Sequence, residues 1–124
     1  MNHSWPVVAL HLTLSGGYVR DVYRGIFGYL RLHNRPFRVV LIRGFPVKPP
    51  LRVAGVIALV TERRQAARVT AFGVPAINVS GSLDEPGMPT VRADDEAIGV
   101  LAAEHLMAAG YTRFASFEQQ GSAV

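Results

Sequence analysis

The 124 residues contain no cysteine, one lysine and one tryptophan. Without thiols, neither a disulfide framework nor a thiolate metal site can be built. No stretch approaches the roughly 20 consecutive apolar residues that span a bilayer. The opening segment MNHSWPVVALHLTLSGG has an apolar run but no basic residues ahead of it, so it reads as a first strand rather than a leader. Neither G-x-G-x-x-G nor G-x-x-x-x-G-K-[ST] occurs, which argues against a nucleotide phosphate cradle. There is no G-x-S-x-G elbow, and His11-Leu12-Thr13 stands where a phospho-acceptor receiver would need paired acids, so an enzyme is not expected. His3 and His33 have no partner at metal spacing, and Glu104 and His105 are adjacent, so they project to different sides of a helix. His11 sits in an apolar run and reads as a hydrogen-bonded core residue. No metal and no cofactor are expected.

What is present suits a single small domain or one part of a larger protein. Hydrophobic residues make up 49% of the chain, enough to build a core. The net charge of +4 rests on twelve arginines and Lys48, but charge alone is a weak argument for a nucleic-acid binder. A soluble protein without a membrane segment is expected, with the cytoplasm as the default location.

Apolar runs and turn chemistry alternate along the chain. Val7 to Leu12 is continuous in the manner of a strand buried on both faces of a parallel sheet. From Tyr18 to about Asn34, a helical period recurs in Val19, Val22, Ile26 and Leu30, with Pro36 barring its continuation. Phe37 to Arg43 reads as a second strand, and the three prolines of GFPVKPPLR (44–52) exclude regular structure. Val53 to Val60 reads as a third strand, Thr61 as the cap of a helix over 62–72 that Gly73 and Pro75 close, and Ala76 to Val79 as a fourth strand. This order predicts an α/β fold, a three-layer parallel sheet flanked by helices with right-handed crossovers.

Thr90 to Phe117, TVRADDEAIGVLAAEHLMAAGYTRFASF, reads as a short strand, an acid-capped helix and another strand. Asp94 suits the N-cap, Asp95 and Glu96 suit the first turn, and Gly110 suits the left-handed stop. Ile98, Leu101, Ala102, Leu106 and Ala109 predict one core-facing side, and Arg113 to Phe117 a new strand.

This pattern, a Val, an Asp pair, a helix ending HL-x-x-x-G-Y and then R-F-A, resembles the LacI/GalR and type I periplasmic-binding-protein group. In VALHLTLSGGYVRDVYRGIFGYL, the residues Tyr18, Arg20, Val22, Gly25, Tyr29 and Leu30 look like the opening of the xylose-operon regulator branch, in which such a sugar-sensing domain precedes an AraC-type DNA-binding domain. The resemblance spans roughly 7–117. It implies an incomplete N-terminal lobe over 7–111, with 112–124 as the first strand of a missing second lobe plus a tail. It also implies a sugar ligand of xylose-like kind, a homodimer through the first helix, and DNA contact only through a domain that these residues lack. No helix-turn-helix pattern occurs. Two other readings are a transporter's solute-binding protein, which would need an export signal, and a stand-alone α/β interaction domain.

Open α/β sheets bind ligands at the carboxyl edge of the strands. TLSGGYVRD offers Thr13 and Ser15 hydroxyls and the Tyr18 ring there, and the end of the fourth strand offers Asn78 and Ser80. An ordinary strand-to-helix turn with Ser15 as cap explains the first group equally well. Asp94 matches the acid with which the family opens its hinge helix, so the resemblance carries it to the cleft; a plain N-cap is the bland alternative. Arg20, Arg24, Arg31 and Arg35 fall on one side of the first helix. A solvated face accounts for that stripe, and a partner or nucleic-acid surface is the sharper alternative.

Overall fold

The computed structural model describes residues 5–12, 16–34, 37–44 and 52–117. Contacts divide the chain between Arg92 and Ala93 into two compact units.

The first unit holds strands β1 (Val7–His11), β2 (Arg38–Leu41), β3 (Gly55–Ala58) and β4 (Ala76–Asn78), with helices α1 (Gly17–Leu32) and α2 (Arg63–Thr70). All pairings are parallel and the strand order is β2-β1-β3-β4. This is the expected α/β class. The direction of winding reverses at β1: α1 connects it to β2 on one side, and α2 leads from β3 to β4 on the other. Right-handed crossovers of opposite direction put their helices on opposite faces.

Side-chain alternation carries out that separation. Leu10, Leu12 and Val79 pack with Val19 of α1, supported by Val8, Val22, Ile26 and Ile57. Ala9, Val56, Ala58 and Val60 face the other way and pack with Ala66 and Val69 of α2. Leu10, Val60 and Val69 are fully buried, and each such aliphatic side chain contributes about 1.5–3 kcal/mol by leaving water. The small Ala9 and Ala58 share this cluster with Ala66 and Val69 of α2, which is only eight residues long. Gly55 leaves room at the start of β3, where a Cβ would sit 3.3 Å from the Pro75 carbonyl oxygen and require a shift of a few tenths of an ångström.

Several boundaries differ from the sequence pattern for local reasons. α1 stops at Leu32, ahead of Pro36, because Asn34 takes a left-handed conformation with φ 45°. Thr61 lies one residue before the N-cap of α2, which is Glu62, and does not cap it. Its backbone N–H and hydroxyl both donate to Gln65 Oε1, at 2.9 and 3.2 Å.

The second unit holds α3 (Asp95–Ala108). Asp94 caps it, accepting a hydrogen bond from the Ala97 N–H at 3.0 Å. At its other end Gly110 adopts φ 89°, Gly110 N–H donates to the Met107 carbonyl and Tyr111 N–H to the Leu106 carbonyl. That bond pair satisfies two of the orphaned terminal carbonyls. Within its own unit, α3 buries no single side. Ile98, Val100, Leu101, Leu106 and Met107 lie all around the helix, and every residue of it is exposed. Arg113 to Phe117 forms no strand, because a strand requires a ladder partner and none pairs with it among the described residues.

Candidate functional site

The winding reversal between β1 and β3 makes their carboxyl ends the topological switch point of this sheet. Thr13 and Ser15, in the loop after β1, lie outside the described residues. The structure brings Tyr18, Asn78 and Ser80 together around the end of β4.

Tyr18, in the first turn of α1, donates its hydroxyl to the Val79 carbonyl at 2.6 Å. That bond spans 61 residues of sequence and fixes the phenol while leaving half of the residue exposed. A ring held by its own hydroxyl has lost its rotational freedom before any ligand arrives, which lowers the entropic cost of binding.

Asn78 is fully buried and its amide is fully used. Oδ1 accepts from the Val60 and Ser80 backbone N–H groups, both at 3.0 Å. Nδ2 donates to the Ser80 carbonyl at 2.8 Å and to Thr90 Oγ1 at 3.2 Å. Two donors and two lone pairs exhaust an amide, so Asn78 has no capacity left to address a ligand. It acts as a bracket for the segments that follow β3 and β4. Its backbone completes this role: Asn78 N–H donates to the Pro89 carbonyl and Val91 N–H donates to the Asn78 carbonyl, each at 2.9 Å. Thr90 thereby joins the edge of the sheet as an isolated parallel bridge to Asn78.

Ser80 is also buried, and its Oγ accepts from the Ser82 N–H at 3.1 Å, shaping the turn after β4. Its hydroxyl proton remains available for donation. Asp94 belongs to the second unit, where its carboxylate is exposed and caps α3.

Two further residues enter the arrangement. Thr90 takes its place through the Asn78 bond; its only signal in the sequence is its position just before Val91. His11 ends β1 and is in register with Ala58, which is in turn in register with Asn78, so the three form one row across adjacent strands. Burial lowers the His11 pKa below its ordinary value, partly offset by a backbone hydrogen bond, which favours the neutral imidazole at the sheet's carboxyl edge.

The arrangement offers a fixed aromatic ring, small hydroxyl groups and turn backbone, and the only titratable side chain in the row is a neutral imidazole. Such a set can hold a neutral polar ligand by hydrogen bonds and ring contact. Among the described residues, no three His, Cys, Asp or Glu side chains converge to hold a metal ion, and no helix is long and apolar enough to cross a membrane.

A separate trough of about 770 Å³ opens on the α1 side of the sheet. Val22, Ile26 and Leu30 of α1 form one wall, and Val39, Ile57 and Ile77 of the sheet form its floor. Comparison of the chain with family models, with curated proteins and with solved structures finds no match in any of the three.

Proposed function

We propose that the chain is the ligand-sensing lobe of a cytoplasmic transcription regulator of LacI/GalR-like, xylose-regulator type, and that its ligand is a sugar bound at the carboxyl edge of the sheet. The observation that carries this reading is the Tyr18 hydroxyl bound to the Val79 carbonyl. It ties the start of α1 to the end of β4 and presents a half-exposed ring beside the switch point. The parallel sheet with helices on both faces is compatible with the lobe that the sequence resembles. In this reading the chain binds and does not catalyse; sugar shifts the population toward a closed two-lobed state, and a DNA-binding domain outside these residues reports that shift.

The test is a thermal melt of the protein across a panel of pentoses and hexoses. A sensing lobe gives saturable stabilisation by one sugar or a few related ones, about 2.7 kcal/mol at a hundredfold excess over Kd. Melts unchanged by every sugar, at concentrations well above the millimolar range, overturn the proposal.

A second reading, a stand-alone α/β interaction domain, is favoured by one observation: the trough beside α1 has an almost wholly apolar lining.

A further inference from the structure

Helix α1 has a third side that faces neither the sheet nor the trough. Arg20, Arg24, Phe27 and Arg31 follow one another at steps of four, three and four residues. At 100° per residue they fall within about 60° of arc, along a line of about 17 Å. All four are exposed. We propose that this seam is the docking face for an acidic helix of a partner protein.

Spacing speaks for a helical partner. Alternating steps of three and four are the rhythm by which side chains of one helix enter the grooves of another. A phosphate backbone asks for no such rhythm and no apolar centre.

Phe27 supplies that centre. It is 49% exposed, and its ring stacks on Tyr23 at 6.4 Å with an interplanar angle of 12°. Tyr23 itself packs against the core cluster beneath α1. The exposed aromatic is therefore braced from behind, as an anchor residue in an interface should be.

Charge selects the sign of the partner. Among the described residues, the ion pair recorded for the three arginines is that of Arg24 with Asp21 at 3.1 Å, with side chains 80% and 72% exposed. A second copy of α1 is a poor occupant. Parallel pairing sets each arginine against its own copy, and antiparallel pairing sets Arg20 against Arg31 at both ends, with two aspartates against six arginines. An acidic helix removes that repulsion and meets the apolar centre with one aliphatic residue. This inference does not depend on the sensing reading, and it gives this face of α1 to a partner in place of the homodimer contact that the resemblance implies.

The test is fluorescence anisotropy with labelled three-heptad helical peptides that place Leu opposite Phe27 and either Glu or Gln opposite the three arginines. A short labelled DNA duplex serves as the phosphate probe. The Glu peptide should bind about tenfold tighter than the Gln peptide, the sum of three modest exposed ion pairs. In an Arg20→Glu/Arg24→Glu/Arg31→Glu variant that preference should vanish, and a Lys peptide should bind in its place. Phe27→Ser should weaken both peptides while leaving their ratio unchanged; these side chains are exposed, so the fold is retained, as circular dichroism would verify. Equal binding of the Glu and Gln peptides, or binding of neither, overturns the proposal. Tighter binding of the duplex overturns it in favour of a phosphate surface, and a peptide-free dimer that Phe27→Ser dissociates overturns it in favour of self-pairing.

Discussion

Tyr18 and Val79 lie 61 positions apart in sequence and 2.6 Å apart between hydroxyl and carbonyl oxygen. One end of that bond begins α1 and the other follows β4, so the two sides of the switch point are tied by a single side chain. Tyr18→Phe should keep the ring and lose the bond, at a cost of about 1 kcal/mol in unfolding free energy. Because the ring would then be free to turn, stabilisation by a bound sugar should also fall. A urea titration of the variant gives the first quantity, and repeating the sugar melts gives the second. An unaltered urea midpoint would mean that the bond contributes nothing in solution.

Asn78 should be the polar residue least tolerant of change. Asn78→Ala leaves the Val60 and Ser80 N–H groups without their acceptor inside the fold, and each orphaned group costs about 1–3 kcal/mol. Thr90→Val removes only the Oγ1 contact and should cost about 1 kcal/mol or less. Because Asn78 and Thr90 share a bond, the double variant should be less destabilised than the two single costs added together. Chemical denaturation of the four proteins closes the cycle; strict additivity would show that the two do not interact.

His11 should make stability depend on pH in one direction. Burial depresses its folded-state pKa below its ordinary 6.5, so the unfolded chain takes up the proton first as pH falls. The penalty is absent above about 6.5, grows as pH drops below that value, and stops growing once the folded-state pKa is passed, with a slope of at most about 1.4 kcal/mol per pH unit. Denaturation midpoints at pH 7.5 and pH 5.5 should therefore differ more in the native protein than in His11→Gln. Equal differences in the two would remove His11 as the source.

Asp94 should matter to α3 alone. Asp94→Ala removes the acceptor for the Ala97 N–H and should cost the helix about 1 kcal/mol. Amide exchange at Ala97 should then accelerate about fivefold, while amides of β1 and β3 keep their native protection. Unchanged exchange at Ala97 would show that the cap is replaced by water at no loss.

Much of the sheet was legible because its signals are local. Val7 to His11 is apolar at every position but the last, β4 follows the same rule, and β3 lies inside the longer apolar run of 53–60. The acid at Asp94 and the glycine at Gly110 mark the ends of α3 by chain chemistry alone, and both ends lie where those residues put them. Less legible was α3 itself. Ile98, Leu101 and Leu106 recur at helical steps, but Val100 and Met107 are apolar as well, so the pattern selects no side. Thr61 was misplaced because a threonine before a helix has two partners within reach, the helix amides and the Gln65 side chain, and sequence does not rank them.

Amino-acid order alone determined the approximate places of β1 to β4 and α1 to α3 and that the strands run parallel, since these follow from periodicity, turn residues and alternation, whereas 113–117 shows that an apolar run without a ladder partner makes no strand. Only the tertiary structure decided which polar residues are free to meet a ligand. Asn78 and Tyr18 look alike as polar residues at a sheet edge, yet four hydrogen bonds consume the Asn78 amide, whereas one bond holds Tyr18 and leaves its ring in the open. The reason is that part of this hydrogen-bond capacity is spent on partners distant in sequence, Val60 and Thr90 for Asn78 and Val79 for Tyr18, and only folding brings those partners within hydrogen-bonding distance.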